Sequence, residues 1–187
     1  MKNRNMQHSD NWKTPPELYD KLNKEFNFNF DPCPYSESEP IFDGLCVDWK
    51  ERNFINPPYS RKLKEAFIKK GIEESRKGKL CVFLIPVSTS TVIFHEHILP
   101  NKTEIRFLKG RISFHGYNTK GEYSTKNKGM HDSMIVIFDG RNHENQKIKK
   151  LRSGGKKLKE LSLKFKTTES NISRICTGVR RHGGKLK

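Results

Sequence analysis

No apolar run in this chain approaches the ~20 residues needed to span a bilayer, and the opening Met1-Lys2-Asn3-Arg4-Asn5-Met6-Gln7-His8 has no apolar segment of the secretory type. A soluble, cytosolic protein without membrane contact is the expectation. Cysteine is sparse: Cys33, Cys46, Cys81 and Cys176 are scattered with no short paired spacing, which argues against a zinc knuckle or other metal site and against a disulfide framework. No internal repeat is present. Acidic residues are nearly missing from one end, for residues 141–187 hold 15 Lys and Arg against 3 acids, a net +12, while residues 1–140 hold 22 against 18. The whole chain of 187 residues carries +16 at a sequence pI of about 9.8. Its length suits one ordinary core with a small appendage. The charge favours an acidic polymer as partner, although basic surfaces also serve only solubility.

What is present orders itself along the chain. Trp12-Lys13-Thr14-Pro15-Pro16-Glu17 has a helix-start signature, with Thr14 as cap and Pro15 at the first helical position. Leu18, Leu22 and Phe26 then share one helical face. Phe28-Asn29-Phe30-Asp31 alternates briefly and reads as a short strand stopping at an acidic turn. Asn53-Phe54-Ile55 is a strand, residues 61–77 an amphipathic helix ended by Gly78, and Leu80-Cys81-Val82-Phe83-Leu84-Ile85 a strand apolar enough to be buried on both faces. A helix near 91–98, a strand at 104–108, a polar hairpin-like loop to residue 130 and a strand at 133–138 follow. The pattern predicts an α/β sandwich with a mainly parallel sheet. We place the main domain at residues 10–140, a linker by composition at 141–155, and a small helical module at 156–187. In that tail Leu158, Leu161 and Phe165 fit one helix and Ile172, Ile175 and Val179 a second. Two readings remain for it: a helix-turn-helix that presents Asn171, Arg174, Arg180 and Arg181 to duplex DNA, or a merely charged amphipathic segment.

The most informative stretch is Asn56-Pro57-Pro58-Tyr59, entered from a hydrophobic strand. Its prolines fix φ and lack N–H groups, so the turn gathers acceptors beside an aromatic ring. An exocyclic amine on a flat ring suits such a platform, with one N–H to the Asn56 side-chain oxygen, one to the Pro57 carbonyl and a π face on Tyr59. A plain surface turn is the competing reading.

Taken together, Trp12-Lys13-Thr14-Pro15, Phe30-Asp31-Pro32-Cys33, Asp48-Trp49, Phe54-Ile55-Asn56-Pro57-Pro58-Tyr59, Leu84-Ile85-Pro86 and Gly110-Arg111-Ile112-Ser113-Phe114 resemble the phage-type DNA N6-adenine methyltransferases from about residue 10 to 138. That resemblance implies a Rossmann-like methyltransferase fold and transfer of a methyl group from S-adenosyl-L-methionine to the adenine N6 amine of double-stranded DNA, in the cytoplasm of a bacterial host. It implies Asn56, Pro57, Pro58 and Tyr59 as the catalytic motif, Trp12, Thr14 and Pro15 at the methionine end of the cofactor, and Asp31 at the end of the first cofactor strand. Asp48 is either an acceptor for the cofactor's adenosine or a solvated acid. The Gly-rich loop usual after that strand is absent, since Asp31 is followed by Pro32-Cys33-Pro34-Tyr35-Ser36. Two alternatives stand beside this reading: methylation of an RNA base or a protein glutamine amide, and a DNA-binding protein without activity.

Overall fold

The computed structural model describes residues 12–36, 42–117 and 122–177. The chain divides into two compact units, Met1–Gly140 and Arg141–Lys187.

In the first unit a four-stranded sheet carries helices on both faces. Its strands are β1 (Arg52–Ile55), β2 (Leu80–Pro86), β3 (Glu104–Phe107) and β6 (Ser133–Asp139), in the order β1-β2-β6-β3. A separate hairpin pairs β4 (Ser113–Tyr117) with β5 (Tyr123–Lys128). The sheet is mixed rather than mainly parallel: β1 and β2 are parallel, but β6 is antiparallel to both β2 and β3. Hydrophobic patterning recovers the strands and not the direction of their partners, because a strand buried on both faces reads as one apolar run in either setting. Phe30 extends the parallel side through a single bridge to Asn53, with the Phe54 N–H donating to the Phe30 carbonyl at 3.0 Å.

Strand β2 is buried along its whole length, and its alternate side chains serve two cores. Cys81, Phe83 and Ile85 face a cluster with Trp49, Phe67, Ile68 and Ile72, the last three from α2 (Arg61–Arg76). Leu80, Val82 and Leu84 face the other, with Leu22 of α1 (Pro16–Phe26), Phe54 and Phe114. The predicted helix near 91–98 is a π-helical turn, Ile93–Ile98, continued by α3 (Leu99–Asn101). The start of α1 also departs from expectation. Pro15 takes the cap position without a side-chain cap, Pro16 opens the helix, and the Pro15 carbonyl accepts from the Leu18 and Tyr19 N–H groups at 3.1 Å. Thr14 is thereby left out of the cap.

The second unit corrects the reading of 141–155 as linker. A 3-10 turn, Gly140–Asn142, leads into α4 (His143–Ser153), followed by α5 (Leu158–Lys164) and α6 (Glu169–Thr177). Ile148, Leu161 and Ile172, one from each helix, are buried together with Leu151, Leu158, Phe165 and Ile175 around them. Polar composition concealed α4, whose apolar contribution is confined to Ile148 and Leu151. Among the described residues no helix is long and apolar enough to cross a membrane, and no group of His, Cys, Asp and Glu is placed to hold a metal ion.

Candidate active site

Two parallel segments end side by side. Phe30 runs along β1, so the residues immediately beyond them, Asp31 and Asn56, emerge at one edge of the sheet. The carboxyl edge of parallel strands is where open α/β sheets place their ligand crevices. Asp31 and Asn56 line one cavity of about 420 Å³ together with Trp12, Thr14, Tyr19 and Phe54. That volume falls in the ~300–1,000 Å³ range typical of small-molecule sites.

The Asn56 amide is held by one end only. Its Nδ2 donates to the Trp12 carbonyl at 2.7 Å, while its Oδ1 is buried without a hydrogen-bond partner. A buried acceptor left unmade costs ~1–3 kcal/mol, so this oxygen favours an N–H donor. Pro57 and Pro58 are buried behind it. Tyr59 turns its ring edge-on to Phe114 of β4, at 6.0 Å between centroids and 85°. Its hydroxyl also lacks a partner, and burial raises the phenol pKa, keeping the group protonated. Tyr59 lies beside the cavity rather than among its lining residues.

Asp31 is the cavity's electrostatic feature. Its Oδ1 accepts from the Cys33 N–H at 2.8 Å, yet burial outweighs that bond and pushes the carboxyl up to about 7. Burial, followed by the Asp31 charge, also drives the Cys33 thiol well above its ordinary value. A cation entering the cavity would favour the ionised carboxylate.

The residues named from sequence are thus partly brought together. Trp12, Thr14, Asp31 and Asn56 line the cavity, and Pro15 lies next to it as the cap of α1. Asp48 does not join them. Its side chain is 85% exposed and pairs with Lys77 at 3.5 Å. Tyr19, Cys33, Tyr35 and Phe54 line the cavity without having been singled out as site residues. Tyr19 was legible as one turn from the Thr14-Pro15 segment, whereas the Cys33-Pro34-Tyr35 loop has no periodicity to announce it. In the second unit the N–H of Asn171 donates to Thr168 Oγ1 at 3.1 Å and its side chain donates to Thr167 Oγ1 at 2.8 Å. Asn171 therefore shapes the start of α6, with Thr168 as the cap. Arg174 belongs to α6; its side chain, like Arg180 and Arg181, lies outside the described residues.

Compared with known protein families, residues 2–160 match the family described as DNA N-6-adenine-methyltransferase (Dam). No curated protein and no solved structure matches the chain.

Proposed function

The chain belongs to the DNA N-6-adenine-methyltransferase (Dam) family, a DNA adenine N6-methyltransferase, and from that premise we propose which residues carry the reaction and from which donor. The observation that carries the proposal is the Asn56 amide, anchored through Nδ2 to Trp12 and offering a buried, unpartnered Oδ1 beside the cavity. Asn56 Oδ1 and the Pro57 carbonyl accept the two N–H groups of the adenine amine. An aromatic amine is a poor nucleophile because its lone pair is delocalised into the ring. Accepting both N–H groups favours a tetrahedral nitrogen whose lone pair points into the cavity, an interaction strongest in the transition state. No cysteine nucleophile is needed, and no base need deprotonate this nitrogen before transfer. The raised thiols of Cys33 and Cys81, the latter pushed up by burial to about 12, accord with that. Once methylated, the cationic nitrogen would release one N–H proton to solvent as the sulfonium donor leaves as a neutral thioether.

S-adenosyl-L-methionine is the donor we propose, and it supplies an electrophilic methyl group on a sulfonium. The cavity suits it in size and chemistry: Asp31 for an ammonium, Thr14 and the Trp12 segment for polar contacts, Tyr19 and Phe54 for an aromatic ring. The fold that goes with this reading is Rossmann-like. β1, β2 and β3 all run in one direction, with the reversed β6 between β2 and β3. For the second unit we propose DNA binding by a helix-turn-helix formed by α5 and α6, supported by the +12 of residues 141–187 and the three-helix packing. The adenine must leave the duplex stack to reach Asn56, at a cost of ~ a few kcal/mol.

The test is incubation with methyl-labelled S-adenosyl-L-methionine and separate pools of duplex DNA, RNA and protein, followed by nucleoside analysis. Label in N6-methyladenine of duplex DNA, lost in Asn56→Ala with donor binding retained, is the expected outcome. Label confined to RNA or protein, or full activity of Asn56→Ala, would overturn it.

A further inference from the structure

The β4–β5 hairpin takes no part in the main sheet, and the assignment above leaves it without a role. Its inner side is fastened to the site. His115 and Lys13 exchange backbone hydrogen bonds at 2.8 and 3.0 Å, and Lys13 lines the cavity. Phe114 is buried and meets the Tyr59 ring edge-on. The exposed residues in and beside it are different in kind. Tyr123, at 46%, and Lys126 are exposed on β5, and Lys109, Arg111 and Met130, the last at 86%, are exposed in the segments that enter and leave the hairpin. The segment is basic. Residues 108–132, between β3 and β6, hold five Lys and Arg against two acids, a net +3; the other basic stretch of the first unit, residues 61–79 on and after α2, holds eight against three.

We propose that the β4–β5 hairpin is a duplex-DNA docking surface, which grips backbone phosphates next to the target adenine and thereby sets that base against Asn56. The proposal rests on the DNA-methylation reading above and adds a second contact, within the first unit, to the one proposed for the tail. A two-stranded ribbon is narrow enough for the major groove. Exposed Lys126 on it, with Lys109 and Arg111 at its entry, supply the sequence-independent phosphate contacts that fix register. Through Lys13–His115 and Phe114–Tyr59, whatever positions the ribbon also positions the cavity wall and the Asn-Pro-Pro-Tyr turn. A protein partner is disfavoured by the same composition, since lysine is depleted from the cores of protein interfaces.

The full chain and its Arg111→Ala/Lys126→Ala variant decide the matter, with affinity for an unmethylated duplex measured across a salt series. Losing two phosphate contacts should reduce the log-log salt slope by about 1.8, at ~0.9 per contact, and raise KM for DNA roughly tenfold. The thermal midpoint, donor affinity and turnover at saturating DNA should stay within twofold of the unmodified chain, and Arg111→Lys/Lys126→Arg should restore slope and KM. An unchanged slope and KM in the folded double-alanine variant would overturn the proposal. So would an equal loss of affinity for poly-glutamate or for single-stranded RNA, which would mark a general polyanion patch. Absence of any methyl transfer to DNA by the unmodified chain would instead refute the function reading, independently of the hairpin.

Discussion

At the scale of single residues, the site turns on Asn56, whose buried Oδ1 lacks a hydrogen-bond partner, and Asp31, whose carboxyl is pushed up by burial. Asn56 is anchored by the Trp12 carbonyl at 2.7 Å, so Asn56→Ala removes one preorganised acceptor without disturbing the prolines that shape the turn. Turnover should fall by ~10²–10³, the usual cost of deleting one such transition-state partner. Donor affinity, read by calorimetry, should change little. Asp31 makes the second prediction. Its carboxyl titrates near 3.8 in an unfolded chain and near 7 when folded, because of burial. Between these values the folded chain holds a proton that the unfolded chain has released. The associated stability is therefore present below about pH 4 and is lost as pH rises through about 7. Urea midpoints should decline across that window and flatten in Asp31→Asn. If Asp31 meets the donor's ammonium, donor affinity of the unmodified protein should rise over the same interval, and in Asp31→Asn it should be weaker and insensitive to pH. A pH-independent affinity in the unmodified protein would remove Asp31 from the donor site. Both residues were legible in the sequence for a physical reason: each follows a strand and sits in a proline-bounded turn. Asp48 was not, because an acid beside Trp49 looks the same whether it faces a ligand or, as here, Lys77 and water.

Secondary-structure elements were easier to read than their arrangement. β2 announced itself by six consecutive apolar residues and α2 by its helical stripe, but nothing local states that β6 lies antiparallel between β2 and β3. The sheet was consequently expected to be mainly parallel. The approach of α2 to β2 was equally silent in the sequence, and it depends on a glycine. A Cβ at Gly71 would come within 2.4 Å of two ring atoms of Phe83, a contact that requires the ring or the helix to move. Gly71→Ala gains helix propensity of ~1 kcal/mol. Overpacking of this kind costs ~1–3 kcal/mol, and the collision with a fully buried ring places the result on the unfavourable side. Denaturant unfolding should show net destabilisation, while Gly78→Ala, at φ 92° with open space around its Cβ position, should suffer only the smaller strain of a left-handed alanine. A more stable Gly71→Ala variant would mean that α2 does not approach the sheet this closely.

For the whole molecule, the boundary between units decides what a truncation can test. Composition placed a linker at 141–155, and a cut near residue 145 would have seemed harmless. It would fall inside α4, whose Ile148 is buried with Leu161 and Ile172, and would leave a stub of a helix without its partners. The cut belongs after Gly140. This residue is buried, its N–H donates to the Lys79 carbonyl at 2.9 Å, and a Cβ there would lie 1.6 Å from the Ser75 carbonyl oxygen, so the first unit closes on it. The family match extends to residue 160, through α4 and into α5, which leaves open to experiment whether the reaction needs the first of these helices. A chain ending at Gly140 retains Trp12, Thr14, Asp31 and Asn56 with the cavity they line. It should fold and bind the donor with unchanged affinity. It loses +12 of the +16, so its DNA affinity and salt slope should fall, each lost phosphate contact removing ~0.9 from the slope. A residual slope should remain, carried by Lys109, Arg111 and Lys126, and the Arg111→Ala/Lys126→Ala change should then abolish most of it. Turnover at saturating DNA should survive in the truncated chain. If instead it folds and binds the donor but has lost turnover at every DNA concentration, the second unit contributes to catalysis as well as to binding. If its slope equals that of the full chain, the tail is not the DNA-binding module proposed, and the hairpin carries the contact alone.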